Sequence, residues 1–212
     1  MAGPNLGILI PAFNEEKTVS IVINEAKKFG DVILSDDNST DNTKEISLQA
    51  GALVIDNVFE KGYDGNLKTL LKYASETGHY RSYVTIDADG ELPPAQIENV
   101  IECCKFSSLC IGERNQYNRM VEYILSAYFF LKYGVKDPLS GMKVYSIELL
   151  REFYCDDCDL NIGTAVIKFC KKRQYPIRRF PISVEKRIGS SRFGGSLFSA
   201  MKIMRVILRD LA

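Results

Sequence analysis

The sequence contains no tryptophan, a single histidine (His79) and no uncharged run longer than its first fourteen residues. That first run includes Pro4 and Pro11 and has no basic start, so we expect neither a signal peptide nor a membrane span there. The six cysteines form no recurring framework, and the pair Cys155 and Cys158 has no second CxxC and no nearby histidine. We interpret the cysteines as reduced thiols of a cytoplasmic protein rather than as zinc ligands or disulfides.

Two common phosphate-binding signatures are also absent. No GxGxxG follows the first apolar run, and no GxxxxGK[ST] occurs in the 212 residues. A dinucleotide-binding fold of the usual type and a P-loop are therefore not supported. A chain of this length can bury one sizeable core. Because it shows no internal repeat and no linker, we expect a single domain over residues 1–212.

Acidic and basic residues are equal in number but unevenly distributed. The formal net charge is zero, yet residues 168–212 contain twelve Lys or Arg against two acids. This part therefore carries +10 and the preceding part −10. We expect the C-terminal part to face something anionic, with a solvated basic face as the alternative.

Short apolar runs alternate with longer segments of helical periodicity. The runs predict strands at 6–10, 31–35, 52–56, 83–87, 109–112, 142–146 and 177–182. The periodic segments predict helices within 16–30, 41–51, 65–78, 94–104, 119–133, 147–154 and 162–173. Each of the first three ends in a glycine where a C-cap would fall. Near-continuous apolar strands joined by helices indicate an α/β fold with a buried, mostly parallel sheet.

Polar, acid-bearing segments follow three of these strands: "PAFNEE" (11–16), "DDNSTDNT" (36–43) and "DADGE" (87–91). In an open parallel sheet, ligands bind outside the carboxyl ends of the strands, so we expect these loops to converge on one edge. Carboxylates there suit a hard divalent cation that also holds substrate phosphates, which predicts a metal-bridged nucleotide as ligand. A single Asp-x-Asp pair is also typical of solvated turns.

Five motifs then carry a family resemblance: "PAFNEE", "DDNSTDNT", "DADGELPP", "KDPLSGMKVY" and "EKRIGSSRF". Their order and spacing resemble family 2 glycosyltransferases of the GT-A fold, and they are most similar to the dolichyl-phosphate mannose synthase branch, which includes polyprenyl-phosphate sugar transferases. The resemblance implies a Rossmann-like three-layer α/β sandwich with a mostly parallel central sheet. Its motif-bearing core spans about 6–193, and 194–212 follow as a basic amphipathic helix.

The resemblance also implies a donor site, position by position. The nucleotide-sugar-binding positions are Pro11, Phe13, Glu15, Asp37, Asp87, Ala88, Asp89, Arg187 and Arg192. Phe13 stands where tyrosine is usual and Arg192 where lysine is usual. Asp89 and Glu91 would hold Mg²⁺ or Mn²⁺ on the diphosphate, and Glu91 replaces a common glutamine.

Further positions are implied for chemistry and for the acceptor. Asp89, Arg114 and Arg187 match the catalytic positions, while Lys136 and Ser140 match positions proposed to receive an acceptor phosphate. The implied activity is inverting, metal-dependent transfer of a hexose from a GDP- or UDP-linked sugar to a polyprenyl or dolichyl phosphate, by a peripheral protein on the cytoplasmic face of a membrane.

The residues themselves bear on the acceptor. A hydroxyl acceptor needs a general base, whereas a lipid phosphate is already ionised. Since His79 is predicted away from the acidic loops, a phosphate acceptor is favoured. Two alternatives stay open: transfer to a glycan hydroxyl in polysaccharide or lipopolysaccharide synthesis, with Asp156, Asp157 or Asp159 as base, and a non-catalytic nucleotide-sugar-binding subunit. The QxxRW motif of processive relatives cannot occur without tryptophan.

Two segments are candidates for surface contact. Residues 196–211 form a basic amphipathic pattern that can lie on an anionic membrane, and 120–134 are apolar almost all round. Packing on the protein's own core, or on a second subunit, is the alternative for the first, and core burial is the simpler account of the second. We expect no nucleic-acid partner; a homodimer or a membrane subunit is compatible with the pattern.

Overall fold

The structure is a computed structural model that describes residues 5–104, 107–117, 120–153, 161–185, 204–208 and 210. In this part of the chain strands and helices alternate as far as α6, which α7 follows before the last strand. The strands are β1 (Leu6–Ala12), β2 (Asp31–Asp36), β3 (Leu53–Asp56), β4 (Ser82–Thr85), β5 (Leu109–Arg114), β6 (Lys143–Ser146) and β7 (Ile177–Ile182). The α-helices are α1 (Val19–Ala26), α2 (Thr43–Gln49), α3 (Tyr63–Thr77), α4 (Ile97–Cys104), α5 (Met120–Tyr133), α6 (Ile147–Glu152) and α7 (Ile162–Arg173).

All seven strands belong to one sheet, in the order β3-β2-β1-β4-β6-β5-β7. Every neighbouring pair is parallel except β6, which runs antiparallel to both β4 and β5. The chain winds outward from β1 to β3 and then returns to the other side of β1 with β4. The sheet order therefore reverses between β1 and β4, and such a switch point opens a crevice at the carboxyl ends of the strands.

Helices cover both faces of this sheet, which gives three layers. One buried apolar cluster joins the sheet to α1 and α4, with Val22, Ile23 and Ile97 among its members. The other joins it to α3, α5, α6 and α7 and includes Leu70 and Phe129. The apolar residues of each helix recur at the helical period and pack on the sheet. The sheet is therefore buried on both of its faces. The predicted α/β class and the mostly parallel central sheet are confirmed.

The strand predictions match the observed strands to within two residues at each end, but one helix differs. The segment 16–30 contains the shorter α1, whose C-cap is Lys27 rather than Gly30. A Cβ on Gly30 would overlap the carbonyl oxygen of Leu6, so this glycine serves a close backbone approach. The other two predicted caps fit better, because Gly51 follows α2 with φ +83° and Gly78 caps α3 with φ +56°.

The described part of the C-terminal segment, 204–208, is helical and packs on the protein. Val206 and Ile207 are buried in the cluster that contains Phe129 of α5. Asp210 accepts hydrogen bonds from the hydroxyls of Tyr128 and Tyr133 at 2.8 Å and 2.7 Å. Of the two alternatives for this segment, core packing therefore applies to its described residues. None of the helices in the described ranges combines the length and apolarity that crossing a membrane requires.

Candidate active site

The loops after β1 and β2 are joined directly by hydrogen bonds. The Asn14 amide N–H donates to the Ser39 hydroxyl at 2.9 Å, and the Thr40 N–H donates to the Asn14 side-chain oxygen at 2.8 Å. Glu16 accepts from the Asn42 N–H at 3.2 Å. Parallel pairing of β1 with β2 brings these loops to the same edge, so the predicted convergence is confirmed for them.

The first of these loops carries three predicted nucleotide-site residues. Pro11 is buried at the end of β1, Phe13 is half-buried, and Glu15 is 8% exposed. The Glu15 N–H donates to the Thr43 hydroxyl at 2.7 Å, which ties the loop to the start of α2. The Glu15 carboxyl group in turn accepts from the Thr18 hydroxyl at 3.3 Å, so Glu15 is held within the protein at the start of α1.

Asp37 binds the loop that precedes α3. Its Oδ1 accepts from the Asn57 side-chain amide and its Oδ2 from the Gly62 N–H, both at 2.7 Å. Its own N–H donates to the Ala12 carbonyl at 2.9 Å. The Asp37 side chain therefore holds the loop before α3 in place beside the end of β1. The prediction gave Asp37 a contact with a nucleotide and did not include this structural role.

The segment 87–91 follows β4 at the switch point. Asp87 is half-buried and accepts a hydrogen bond from the Tyr63 hydroxyl at 3.0 Å. Burial, and then the neighbouring charge of Asp89, raises the pKa of Asp87 to about 6. The Asp89 Oδ1 accepts from the Glu91 N–H at 2.9 Å, and Gly90 has φ +74°, a conformation that glycine adopts without strain. The turn thus holds Asp87, Asp89 and Glu91 close together, with Ala88 buried between them.

A guanidinium group lies against this acidic segment. Arg114, at the end of β5, pairs with Asp137 through Nε at 2.7 Å and through a terminal nitrogen at 3.0 Å. Burial acts to lower the pKa of Arg114, but the bond to Asp137 outweighs it and raises this pKa above its ordinary value. The charges of Asp87 and Glu91 both interact with Arg114. Carboxylates and a fixed cation therefore share one edge, as a metal-bridged diphosphate requires.

The two acceptor positions differ in environment. Lys136 is exposed, and its Nζ lies 5.5 Å from the centre of the Phe130 ring. Ser140 is 3% exposed, and its hydroxyl accepts from the Met142 N–H at 3.2 Å. Lys136 is thus accessible to an anion from solvent. The Ser140 hydroxyl instead stabilises the turn between Ser140 and Met142.

Lys143 lies under this edge and was not among the predicted site residues. It is the first residue of β6, is 3% exposed and donates from Nζ to the Ser140 carbonyl. Burial lowers the pKa of its amine to about 8, although Asp137 and Asp87 oppose this shift. The sequence did contain a signal for this residue, namely a lysine within the predicted strand 142–146. A cation within a buried strand needs acidic partners, which would have indicated a place near the acidic loops.

The buried amine makes stability dependent on pH. The ordinary pKa of 10.5 falls to about 8 on folding, so between these values the unfolded chain binds more protons than the folded one. Stability therefore rises with pH across this window. We expect the free energy of unfolding of the wild type, relative to Lys143→Met, to increase by about 3 kcal/mol from pH ~7.5 to ~10.5 in urea titrations.

Lys171→Met provides the control for that measurement, since Lys171 is an exposed lysine on α7. The difference between this control and the wild type should show no comparable increase. A difference between wild type and Lys143→Met that stays constant, or shrinks as the pH rises, would contradict a lowered pKa of the Lys143 amine in the folded protein.

Several predicted residues lie outside the described residues: Arg187, Arg192, Asp156, Asp157 and Asp159. His79 is described. It lies between α3 and β4, and therefore at the amino-terminal edge of the sheet, opposite the acidic loops. Its predicted position away from these loops is confirmed.

The donor set of the 87–91 segment fits a divalent cation that is completed by substrate. Among the described residues, no group of three or more His, Cys, Asp or Glu side chains forms a metal cage. Mg²⁺ is commonly held by one or two carboxylates together with substrate phosphates, and Asp89 and Glu91 offer that number. Because their oxygens are hard ligands, the site suits Mg²⁺ or Mn²⁺.

The comparisons with known proteins agree with this architecture. A crystal structure of glucosyl-3-phosphoglycerate synthase from Mycobacterium tuberculosis, in complex with Mn²⁺ and UDP-glucose, superimposes with a TM-score of 0.74. The match covers 99% of this chain and 78% of that one, at 20% identity. The chain thus has the fold of GT-A glycosyltransferases. The family model for glycosyl transferase family 2 matches residues 7–135. The protein belongs to this family and is a glycosyltransferase.

Two relatives have names that specify lipid phosphates. The undecaprenyl-phosphate mannosyltransferase of Micrococcus luteus is 25% identical, over 89% of this chain and 87% of the relative. The UDP-N-acetylglucosamine–dolichyl-phosphate N-acetylglucosaminyltransferase of Methanococcus voltae is 33% identical over 48% of each chain. The chain thus matches about half the length of the second relative. The resemblance to the polyprenyl-phosphate branch of the family is confirmed by these relatives.

Proposed function

We propose that the protein transfers a hexose from a GDP- or UDP-linked sugar to a polyprenyl phosphate at the cytoplasmic face of a membrane, with Mg²⁺ or Mn²⁺ as cofactor. The observation that carries this proposal is the shared edge at the β1/β4 switch point. There the charges of Asp87 and Glu91 interact with Arg114, and Asp89 lies between these two residues in the turn. Lys136, four residues before Ser140, is exposed.

In this reaction the bond between the anomeric carbon and the diphosphate oxygen breaks, and the diphosphate leaves with the bonding electrons. A phosphate oxygen of the acceptor attacks the same carbon from the opposite face, so that the configuration inverts. A bound divalent cation supplies charge neutralisation at the leaving diphosphate. Asp89 and Glu91 hold that cation, and Arg114 places a second positive charge at the leaving group.

The acceptor class is supported by what surrounds the reacting groups. An ionised phosphate needs to be positioned but not deprotonated, and His79 lies at the opposite edge of the sheet. Lys136 attracts the acceptor phosphate, and Arg187 and Arg192 add positive charge at the diphosphate. The named relatives that act on undecaprenyl and dolichyl phosphates support the same class.

The test is transfer of label from GDP- and UDP-hexoses, with Mn²⁺ or Mg²⁺, to a purified polyprenyl phosphate. We expect a labelled lipid that is extracted into organic solvent. This product should not form when the cation is chelated. Transfer to a glycan acceptor alone would overturn the lipid assignment. Nucleotide-sugar binding without transfer to any acceptor would make the protein a non-catalytic subunit.

Gly141 provides a test of the position of Asp87. A Cβ at Gly141 would overlap the Oδ2 of Asp87, so Gly141→Ala displaces that carboxylate without adding charge or removing a hydrogen-bonding group. We expect kcat/KM for the nucleotide sugar to fall about 10- to 100-fold, since small displacements of positioning groups have effects of that size. Steady-state kinetics with the preferred donor, and thermal unfolding of the variant, provide the measurement.

A double-variant cycle distinguishes this cause from general damage. If Gly141→Ala acts through Asp87, the double variant with Asp87→Asn should lose no more activity than Asp87→Asn alone. Independent, additive losses in the double variant would mean that Gly141 acts on another part of the site.

A further inference from the structure

Helix α5 presents a continuous apolar stripe to solvent. The stripe consists of Met120, Tyr123, Ile124, Phe130 and Leu131, which are 81%, 48%, 55%, 44% and 86% exposed. Their spacing of three, four, seven and eleven residues places them along one side of the helix. The opposite side, with Leu125 and Phe129, is fully buried in the core. A surface helix ordinarily has a polar outer face, so the stripe needs a partner.

Apart from the C-terminal segment, the other exposed large apolar residues of the described chain are spread over several elements: α1, α2, β3 and the segments that contain Val58, Phe59 and Val184. Ile21 lies on α1 and Leu48 on α2, and these two are 59% and 54% exposed. Exposed apolar residues that stand singly are normal on a protein surface and imply no partner. The concentration on α5 is thus a property of that helix rather than of the whole surface.

The charges at the carboxyl end of the stripe are net positive. The acid of α5, Glu122, is turned inward; its side chain is 10% exposed and lies 3.7 Å from a guanidinium nitrogen of Arg114. Lys132, whose side chain is 41% exposed, and the exposed Lys136 lie at the carboxyl end of the helix. Asp210 pairs with both Lys132 and Lys168, so this end of the helix keeps a net positive charge. An apolar face bordered by a net positive charge is complementary to an anionic lipid surface.

The stripe is joined to the proposed acceptor position by direct contacts. The Lys136 amine lies over the ring of Phe130, a residue of the stripe, at 5.5 Å from the ring centre. The Tyr117 hydroxyl donates to the Lys136 carbonyl at 2.9 Å and contacts the Ser126 hydroxyl of α5 at 3.2 Å. Any surface that binds the stripe is therefore also close to Lys136.

We propose that the stripe of α5 docks on an anionic membrane surface and thereby brings Lys136 to the level of the lipid headgroups. This inference rests on the proposed function for its purpose, because a polyprenyl phosphate keeps its chain in the bilayer while its phosphate must reach the site. The C-terminal segment that packs beside α5 also exposes apolar side chains: Met204 and Leu208, one turn apart, are 38% and 61% exposed. Asp210 joins this segment to α5 through Tyr128 and Tyr133.

The experiment measures sedimentation of the purified full chain with vesicles of phosphatidylcholine and phosphatidylglycerol that contain no polyprenyl phosphate. The test variant is Ile124→Ser with Leu131→Ser, and the matched control is Ile21→Ser with Leu48→Ser. We expect the test variant to bind at least about tenfold more weakly than the wild type, since two apolar side chains no longer leave water. The control should bind as the wild type does, and vesicles of phosphatidylcholine alone should bind less protein.

Equal loss in both variants, or equal binding of all three proteins, would overturn the proposal. So would a wild type that fails to bind vesicles and that forms a dimer which the α5 variant disrupts, since the stripe would then be an interface between two copies. Vesicle binding is read without any acceptor, so it stands or falls separately from the transfer activity. If the proposed function holds as well, the α5 variant should keep transfer to a short, water-soluble prenyl phosphate and lose transfer to a vesicle-embedded one.

Discussion

Asp89→Asn is expected to reduce sugar transfer by about 100- to 1,000-fold, the range found when one electrostatic group of a preorganised site is removed. Asparagine keeps the size of the side chain but removes the charge that is proposed to hold a divalent cation, and it leaves Glu91 as the remaining proposed ligand. Transfer of label at saturating nucleotide sugar, measured across a titration of Mn²⁺, checks this. The activity lost should be recovered in part at high Mn²⁺, because the remaining ligand still binds the cation weakly.

Asp31→Asn is the matched control for this prediction. Asp31 is an exposed aspartate at the start of β2, on the opposite edge of the sheet from Asp89. Its replacement should leave transfer within about twofold of the wild type, in line with the small effects of surface changes. If Asp89→Asn kept full activity, the proposed position of the cation on the 87–91 segment would be wrong.

Arg114→Met should lower the free energy of unfolding by about 3 kcal/mol, in addition to its effect on activity. The Asp137 side chain is 2% exposed, and both of its oxygens accept hydrogen bonds from Arg114. Removing the guanidinium leaves a buried carboxylate without its main partner, and breaking such pairs typically costs 3–5 kcal/mol. The lower part of that range is expected because the nearby Lys143 charge still interacts with Asp137. Urea unfolding at neutral pH measures the loss.

The double variant Arg114→Met with Asp137→Asn separates the cause of this loss. If the unpaired carboxylate is responsible, removing its charge should restore a large part of the stability, so the two changes would be strongly non-additive. A double variant that is less stable than Arg114→Met by the full effect of Asp137→Asn would show that the guanidinium acts mainly through its packing.

The arrangement of Arg114 and Asp137 also illustrates where the motif-based reading was incomplete. The prediction from "KDPLSG" concerned Lys136 and Ser140, but the aspartate of this motif forms two hydrogen bonds with the Arg114 guanidinium. An aspartate between a lysine and a proline is typical of an ordinary turn. Its importance depends on β5, which ends 23 positions earlier in the chain, lying beside it. Such a pairing is a product of sheet order and not of local pattern.

Lys143 is a second residue whose surroundings could not be predicted from the sequence. Its strand was predicted, and so was the polar edge at the end of β4, but the antiparallel insertion of β6 between β4 and β5 was not. That insertion aligns Lys143 with Thr85 and places its amine near Asp87 and Asp137. Burial at this position is what lowers the pKa of the amine. No spacing within "GMKVY" contains that information.

The sequence by itself determined the class of fold, the positions of the described strands to within two residues, and the three acid-bearing loops. This was possible because strand and helix periods are local and parallel strands bring their carboxyl ends to one edge. It also identified the family through five ordered motifs. Only the tertiary structure decided which side of α5 faces solvent, since a helix that is apolar all round specifies no face. The partners of Arg114 and the burial of Lys143 were decided there as well, because the free energy of a buried charge depends on groups that are distant in the chain.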